Sequence, residues 1–206
     1  MRVEFETYDP YSIRIGGIGG QGNVLMSIIL ASALVMKGKW VIQTQSYGAQ
    51  VRGGITYADV LFCDKKMDYF KVSHYDLLYM MHQKALDVFH SFLRNNGILI
   101  VDTTYVEKLP RMLFGVTRKI VRIPITRTVK EKLGSSTPAN MAGLGVIAKL
   151  TGWVDVEDLK RAMREKVDPK YHELNEKAID LGFSMVDRKF KIREEVMMRK
   201  FGRGFE

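Results

Sequence analysis

Hydrophobic and polar positions alternate from Tyr11 to Ile15 and then give way to glycine, which predicts a first strand running into a turn. Asn23 to Lys37 follows, with Leu25, Ile28, Ile29, Ser32 and Val35 or Met36 at helical spacing. That spacing predicts an amphipathic helix, and Gly38 stands where a C-terminal glycine would end it. Trp40 to Thr44 and Ile55 to Phe62 are rich in β-branched and aromatic residues and predict a second and a third strand. Asp76 to Met81 is short and mostly apolar, as a buried strand is. Gln83 to Arg94 carries Ala85, Leu86, Val88, Phe89 and Phe92 at helical spacing, and Asn95-Asn96-Gly97 stops it. Ile98 to Val101 is a continuous apolar run before Asp102, the pattern of a central parallel strand. Lys119 to Ile123 predicts another strand, closed by Pro124. Pro138 to Leu150 predicts a helix capped by Ser136 or Thr137, and Val156 to Val167 a further one. Lys170 to Lys200 reads as one or two charged helices of weak periodicity.

The resulting order, β-α-β-β-β-α-β-β and then helices, implies an α/β fold. The expected form is a Rossmann-like open, mostly parallel sheet flanked by helices, with a C-terminal helical arm. There are no internal repeats, low-complexity runs or proline-rich linkers. A length of 206 residues, 46% of them hydrophobic, suits one domain with an ample core. We place that domain at residues 1–186 and a basic C-terminal tail at 187–206. No apolar run approaches the roughly 18 residues that span a membrane. Glu4, Glu6 and Asp9 near the start argue against a signal peptide. A single cysteine, Cys63, can form no internal disulfide and hold no iron–sulfur cluster, which takes about four thiolates. The expected location is the cytoplasm.

The formal net charge is +9. Much of it falls between Thr104 and Gly134, where Lys108, Arg111, Arg118, Lys119, Arg122, Arg127, Lys130 and Lys132 face only Glu107 and Glu131. Such an imbalance favours an anionic partner or a subunit-facing surface. Nucleic acid is not expected, because no aromatic-interleaved binding motif accompanies the charge.

Two glycine-rich segments carry the candidate chemistry. Gly17, Gly19 and Gly22 match the dinucleotide fingerprint: tight turn, close backbone approach to a pyrophosphate, close helix–strand contact. The following helix N-terminus offers an anion site. The fingerprint also wants an acid at the end of the second strand, where this chain has Gln43-Thr44-Gln45-Ser46, so NAD is disfavoured. Glycines that merely let a helix pack on the sheet explain the turn equally well, but packing alone gives Gln21 no purpose within it. The second segment, Gln45 to Gly54, includes Arg52-Gly53-Gly54, and an arginine there can grip a phosphate or carboxylate bidentately or pair with a neighbouring subunit. In an open α/β sheet both segments emerge at the carboxyl edge, where ligands bind. His74, His82, His90 and His172 are scattered without a carboxylate set that completes a metal site. Cys63 has no evident base and reads as inert. Asp102 either lines the cleft or caps the next turn.

Together the two segments resemble the gamma subunit of the 2-oxoacid:ferredoxin oxidoreductases. The matching residues are Gly17-Ile-Gly19-Gly20-Gln21-Gly22 and Ser46-Tyr47-Gly48-Ala-Gln-Val-Arg52-Gly53-Gly54. A third patch, Asn140-Met141-Ala-Gly-Leu144-Gly145 followed by Thr151-Gly152, is similar too, as is Gly97 to Asp102. The likeness spans residues 11–185. Gln-Ser-Tyr-Gly is the form of the 2-oxoglutarate branch, while Ala49-Gln50 stands where many relatives have Pro-Glu. The resemblance implies a cytoplasmic hetero-oligomer that oxidatively decarboxylates a 2-oxoacid, forms an acyl-coenzyme A and reduces ferredoxin. It implies thiamine diphosphate and Mg2+ between alpha and beta subunits. Iron–sulfur clusters would lie on other chains, a ferredoxin-like delta subunit among them. The gamma chain, inactive alone, would cover the active site and help bind coenzyme A. Gly17, Gly19, Gly20, Gln21, Gly22, Ser46, Tyr47, Gly48, Arg52, Gly53 and Asn140 would serve there, with none of them catalytic. Alternatives are the pyruvate, branched-chain and indolepyruvate types, or a stand-alone nucleotide-binding or regulatory module.

Overall fold

A computed structural model describes residues 10–47, 54–67 and 72–193. Six strands form one sheet in the order β2-β3-β1-β4-β5-β6. They are β1 (Tyr11–Ile18), β2 (Trp40–Tyr47), β3 (Ile55–Cys63), β4 (Tyr75–Met80), β5 (Leu93–Asp102) and β6 (Ile120–Ile123). β1, β4, β5 and β6 pair in parallel, while β3 runs antiparallel to both β1 and β2. Parallel strands at the centre are buried on both faces and therefore apolar, as β4, whose six residues are all buried, shows.

Among the described residues, seven helices cover the sheet: α1 (Asn23–Met36), α2 (Gln83–Phe89), α3 (Leu113–Val116), α4 (Ile125–Leu133), α5 (Ala139–Thr151), α6 (Val156–Arg164) and α7 (His172–Ser184). Strand alternation splits the core in two. Ile13, Ile15, Val60, Leu77, Tyr79 and Ile100 meet α1 and α4 to α7 on one face. Leu78, Met80, Leu99 and Val101 meet α2 and α3 on the other. α5 is buried almost all round, because α7 crosses it at Gly145 and Gly182. A Cβ on Gly145 would stand 2.6 Å from the Phe183 backbone nitrogen, so only glycine permits that approach.

The elements differ from expectation at several places, the short α3 and the non-helical stretch 186–193 among them. The helix after β4 ends at Phe89 with a 3-10 turn, and Asn95-Asn96-Gly97 lies inside β5 rather than before it. There the pairing with β4 is shifted between Tyr75 and Leu77, Asn96 has φ 60°, and Gly97 sits against the Asp76 and Arg94 carbonyls. Helix α4, hidden in the basic stretch, was not anticipated. The expected Ser136 or Thr137 side-chain cap of α5 does not form; Pro138 is the N-cap, and the Ala139 N–H donates to the Ser136 carbonyl (3.1 Å).

The first residues of the basic tail lie on the domain. The Phe190 N–H donates to the Leu150 carbonyl (2.8 Å), and Arg193 reaches both carboxylate oxygens of buried Asp76 at 2.9 Å. No helix among the described residues is long and apolar enough to cross a membrane.

Candidate functional site

The site is built on the carboxyl edge of β1. Gly17 is still within the strand, paired with Thr56, so it does not form the tight turn expected of it. Its missing side chain makes room for Gln21 instead: a Cβ there would lie 2.6 Å from Gln21 Oε1. The Gln21 amide accepts from the Ile18 N–H (2.9 Å) and donates to the Met81 carbonyl (3.1 Å). Gln21 thus staples the turn to the end of β4, which supplies the packing purpose that the sequence reading found missing. The Gly19 N–H is also engaged, donating to the Gly54 carbonyl (3.0 Å). That bond joins the first glycine segment to the end of the second.

Gly22 is the N-cap of α1, in the left-handed region at φ 75°. Its carbonyl accepts from the Met26 N–H (3.0 Å) and from Asn140 Nδ2 (3.3 Å). Asn140 Oδ1 in turn accepts from the Met141 N–H at the start of α5 (3.0 Å). Buried Asn23 fastens the same helix end to β3, donating to the Thr56 carbonyl (2.8 Å). Gly20 alone turns outward: it is exposed at φ 99°, and a Cβ there would meet nothing within 4 Å.

The three predicted patches therefore meet at one place. Gly17, Gly19, Gly20, Gln21 and Gly22 form the turn, Asn140 packs against it, and Gly54 is bonded to it. Ser46 and the Tyr47 backbone lie at the end of β2, opposite Tyr57 and Thr56. Gly48, Arg52 and Gly53 lie outside the described residues. The N-termini of α1 and α5 converge here with no acidic side chain in either first turn. Their dipoles leave this edge favourable to an anion.

His82 marks the neighbouring strand end. Its Nδ1 accepts from the Lys84 N–H (3.2 Å), capping α2, and its ring stacks on Tyr105. Burial, reinforced by the Lys84 ammonium, holds the imidazole below its ordinary value. Gln83 binds the following loop, accepting from the Glu107 and Lys108 N–H groups. Asp102 resolves as a cap: it accepts from the Thr104 N–H (2.9 Å), the Thr126 N–H (3.0 Å) and the Thr126 hydroxyl (2.6 Å). The basic stretch does not face one cleft. Lys108 and Arg127 sit near this edge, bonded through Gln83 and Thr104, whereas Lys119 reaches the Lys191 carbonyl at the opposite edge.

One cluster escaped the sequence reading. Arg14, on β1, faces the α2 side and is boxed by the rings of Tyr57, Tyr75, Phe89 and Phe92, 4.2–5.3 Å from its guanidinium carbon. It pairs bidentately with Asp59 at 2.8 and 2.7 Å, and the Tyr75 hydroxyl donates to the same carboxylate (2.6 Å). Burial pulls the guanidinium pKa down, but the Asp59 carboxylate outweighs it and holds the group above its ordinary value. Burial and then Asp59 push the Tyr75 phenol well above its own. Arg14, Tyr57, Asp59, Tyr75 and Phe92, with Thr44 and Ser46, line a cavity of about 350 Å³. The available signal was a lone arginine in an otherwise apolar strand, but its partner lies 45 residues away. Among the described residues, no group of three or more His, Cys, Asp or Glu is placed to hold a metal ion.

Comparison with known proteins identifies the family. The pyruvate ferredoxin/flavodoxin oxidoreductase model matches residues 12–185, and the chain belongs to that family. The 2-oxoglutarate synthase subunit KorC of Methanothermobacter marburgensis is 38% identical over 177 residues, 84% of this chain and 95% of the relative. The pyruvate/ketoisovalerate oxidoreductases common subunit gamma of Thermococcus kodakarensis is 32% identical, with 84% and 95% covered. Among solved structures, the gamma subunit of a keto/oxoacid ferredoxin oxidoreductase from Geobacter sulfurreducens aligns with a TM-score of 0.76 at 34% identity. That match covers 86% of this chain and 97% of the solved one. Within the family the chain is of the gamma type, a subunit of a 2-oxoacid:ferredoxin oxidoreductase and so part of an oxidoreductase.

Proposed function

We propose that this chain serves a complex that decarboxylates 2-oxoglutarate with formation of an acyl-coenzyme A, and that its glycine-turn edge lies over the active site and contacts coenzyme A. The substrate is favoured by the KorC relative, at 38% identity against 32% for the pyruvate/ketoisovalerate one. The observation that carries the coenzyme A reading is the bond from the Gly19 N–H to the Gly54 carbonyl. It joins the turn at the start of α1 to the root of the Arg52 segment, while Asn140 brings the start of α5 to the same turn, and a diphosphate suits such an edge. Gly20 offers the exposed backbone, and Arg52 supplies a guanidinium for an anionic group. Thiamine diphosphate, Mg2+ and iron–sulfur clusters belong to the other subunits. Cys63 alone does not fit a cluster, and among the described residues nothing at this edge forms a metal cradle. Thiamine-binding alpha and beta subunits, a ferredoxin-like subunit and ferredoxin complete the assembly, in the cytoplasm.

The test uses the assembled complex with Gly20→Asp and Gly20→Asn. Both residues tolerate the left-handed backbone better than most, and they differ only in charge. Asp should raise KM for coenzyme A about tenfold or more relative to Asn, as one unfavourable charge contact of about 1.4 kcal/mol requires. KM for 2-oxoglutarate should not move. Equal KM values for coenzyme A in the two variants would remove this edge from the binding site.

A further inference from the structure

The two margins of the sheet are built differently. β6, at one margin, has only four residues, carries exposed Arg122 and is closed by Pro124. Shortness, charge and proline are the devices that keep an edge from pairing. β2, at the other margin, has none of them. It runs eight residues, Trp-Val-Ile-Gln-Thr-Gln-Ser-Tyr, without charge or proline, and pairs only with β3 among the described residues. No described side chain of β2 is buried, and Trp40 is 49% exposed.

Both faces beside this margin are grooved. On one side Val35, Met36, Val41 and Gln43 line a hollow of about 330 Å³, with Val35 56% exposed. On the other, Thr44 and Ser46 border the Arg14 cavity. The lysines that precede the strand are neutralised: Lys37 by Asp155 and Asp158, Lys39 by Asp64.

We propose that β2 pairs antiparallel with β2 of a second copy, about a two-fold axis through Thr44, merging two six-stranded sheets into one. An axis normal to the sheet keeps each face on its own side, so opposed residues must share a face, and an axis through a residue satisfies this. The axis at Thr44 sets Thr44 against Thr44, Gln43 against Gln45 and Ile42 against Ser46. The Thr44–Thr44 pair is of a kind that is favourable across strands. Trp40 to Tyr47 carry no charge that would repel the same strand of a second copy, in a chain whose net charge is +9. The inference rests on strand geometry and is independent of the coenzyme A reading.

Sedimentation velocity on the purified full chain, from about 1 to about 100 µM, reads the association by mass action. Wild type should dimerise, and more tightly at higher salt, because the net charges repel. Thr44→Lys and Thr44→Glu place like charges opposite each other at an exposed position, so each should weaken the dimer at least about tenfold while leaving the Tm at high dilution, where the chain is monomeric, unchanged. An equimolar mixture of the two variants should recover a dimer. A monomeric wild type at the top concentration, or a dimer indifferent to both substitutions, would overturn the proposal. So would a dimer that the mixture fails to restore.

Discussion

Gly22→Ala tests whether the first and third sequence patches are mechanically one unit. Two separate costs follow from the structure. Gly22 has φ 75°, and an L-residue forced into that region loses about 1–2 kcal/mol. A Cβ there would also overlap the Asn140 side-chain amide, standing 3.1 Å from its Cγ. Asn140 must then rotate away and release its bonds to the Gly22 carbonyl and the Met141 N–H. Two neutral bonds, one of them long, add about 1–2 kcal/mol. The total is about 2–4 kcal/mol, or a fall in Tm of about 5–15 °C for a chain of this length. Gly38→Ala is the internal control. Its φ is 76°, but a Cβ there would meet nothing within 4 Å, so it reports the backbone cost alone. Asn140→Ala should cost about 1–2 kcal/mol by itself. Combined with Gly22→Ala it adds almost nothing, because the overlap is gone. Urea unfolding of the four variants closes the cycle, with an expected coupling of about 1–2 kcal/mol. If Gly22→Ala costs no more than Gly38→Ala and the cycle is additive within about 0.3 kcal/mol, Asn140 does not lock the turn.

Two further outcomes are expected. Arg14→Leu leaves the buried Asp59 carboxylate unpaired and should cost about 3–5 kcal/mol in urea unfolding, whereas Arg14→Leu with Asp59→Leu should recover most of it; a single variant costing under about 1 kcal/mol would show the pair to be solvated. His82 titrates below its ordinary value in the fold, so protonation favours the unfolded chain: its contribution is complete above about pH 6.5 and is lost as pH falls through the folded value. Protonation also converts the capping acceptor into a donor. Asn caps without titrating, so the Tm of wild type should drop relative to His82→Asn below about pH 6.5, and a flat difference from about pH 8 to about pH 5 would contradict this.

Much of the architecture was legible because it rests on local periodicity. α1 shows its 3.6-residue pattern openly and ends at Gly38, whose φ of 76° is the conformation expected of a C-terminal glycine. β4 announces itself as a run with no polar interruption beyond Asp76. The places that misled are those where one signal hides another. In α4 the apolar positions are only Ile125, Val129 and Leu133, and the lysines between them read as a charge run. Asn95-Asn96-Gly97 has the composition of a helix stop, and only the paired strand shows that it bulges β5 instead.

The candidate site shows the same division more sharply. That glycines 17, 19, 20 and 22 and Asn140 belong together was readable as a resemblance, but their individual roles were not. The dinucleotide pattern gives the first glycine to a tight turn, the second to a ligand and the third to helix–strand contact. Here Gly17 clears space for Gln21, Gly19 bonds to Gly54, and Gly22 receives Asn140. Gly54 and Asn140 are remote in sequence from the glycines they bind, so spacing alone cannot reveal them. For the coenzyme A contact proposed above, this leaves the outward backbone of Gly20 and the paired helix ends; Arg52 lies outside the described residues. A turn whose own glycines are engaged in holding it rigid is already organised before any ligand arrives. Binding there therefore need not order the turn itself, a cost that a flexible loop of the same composition would bear.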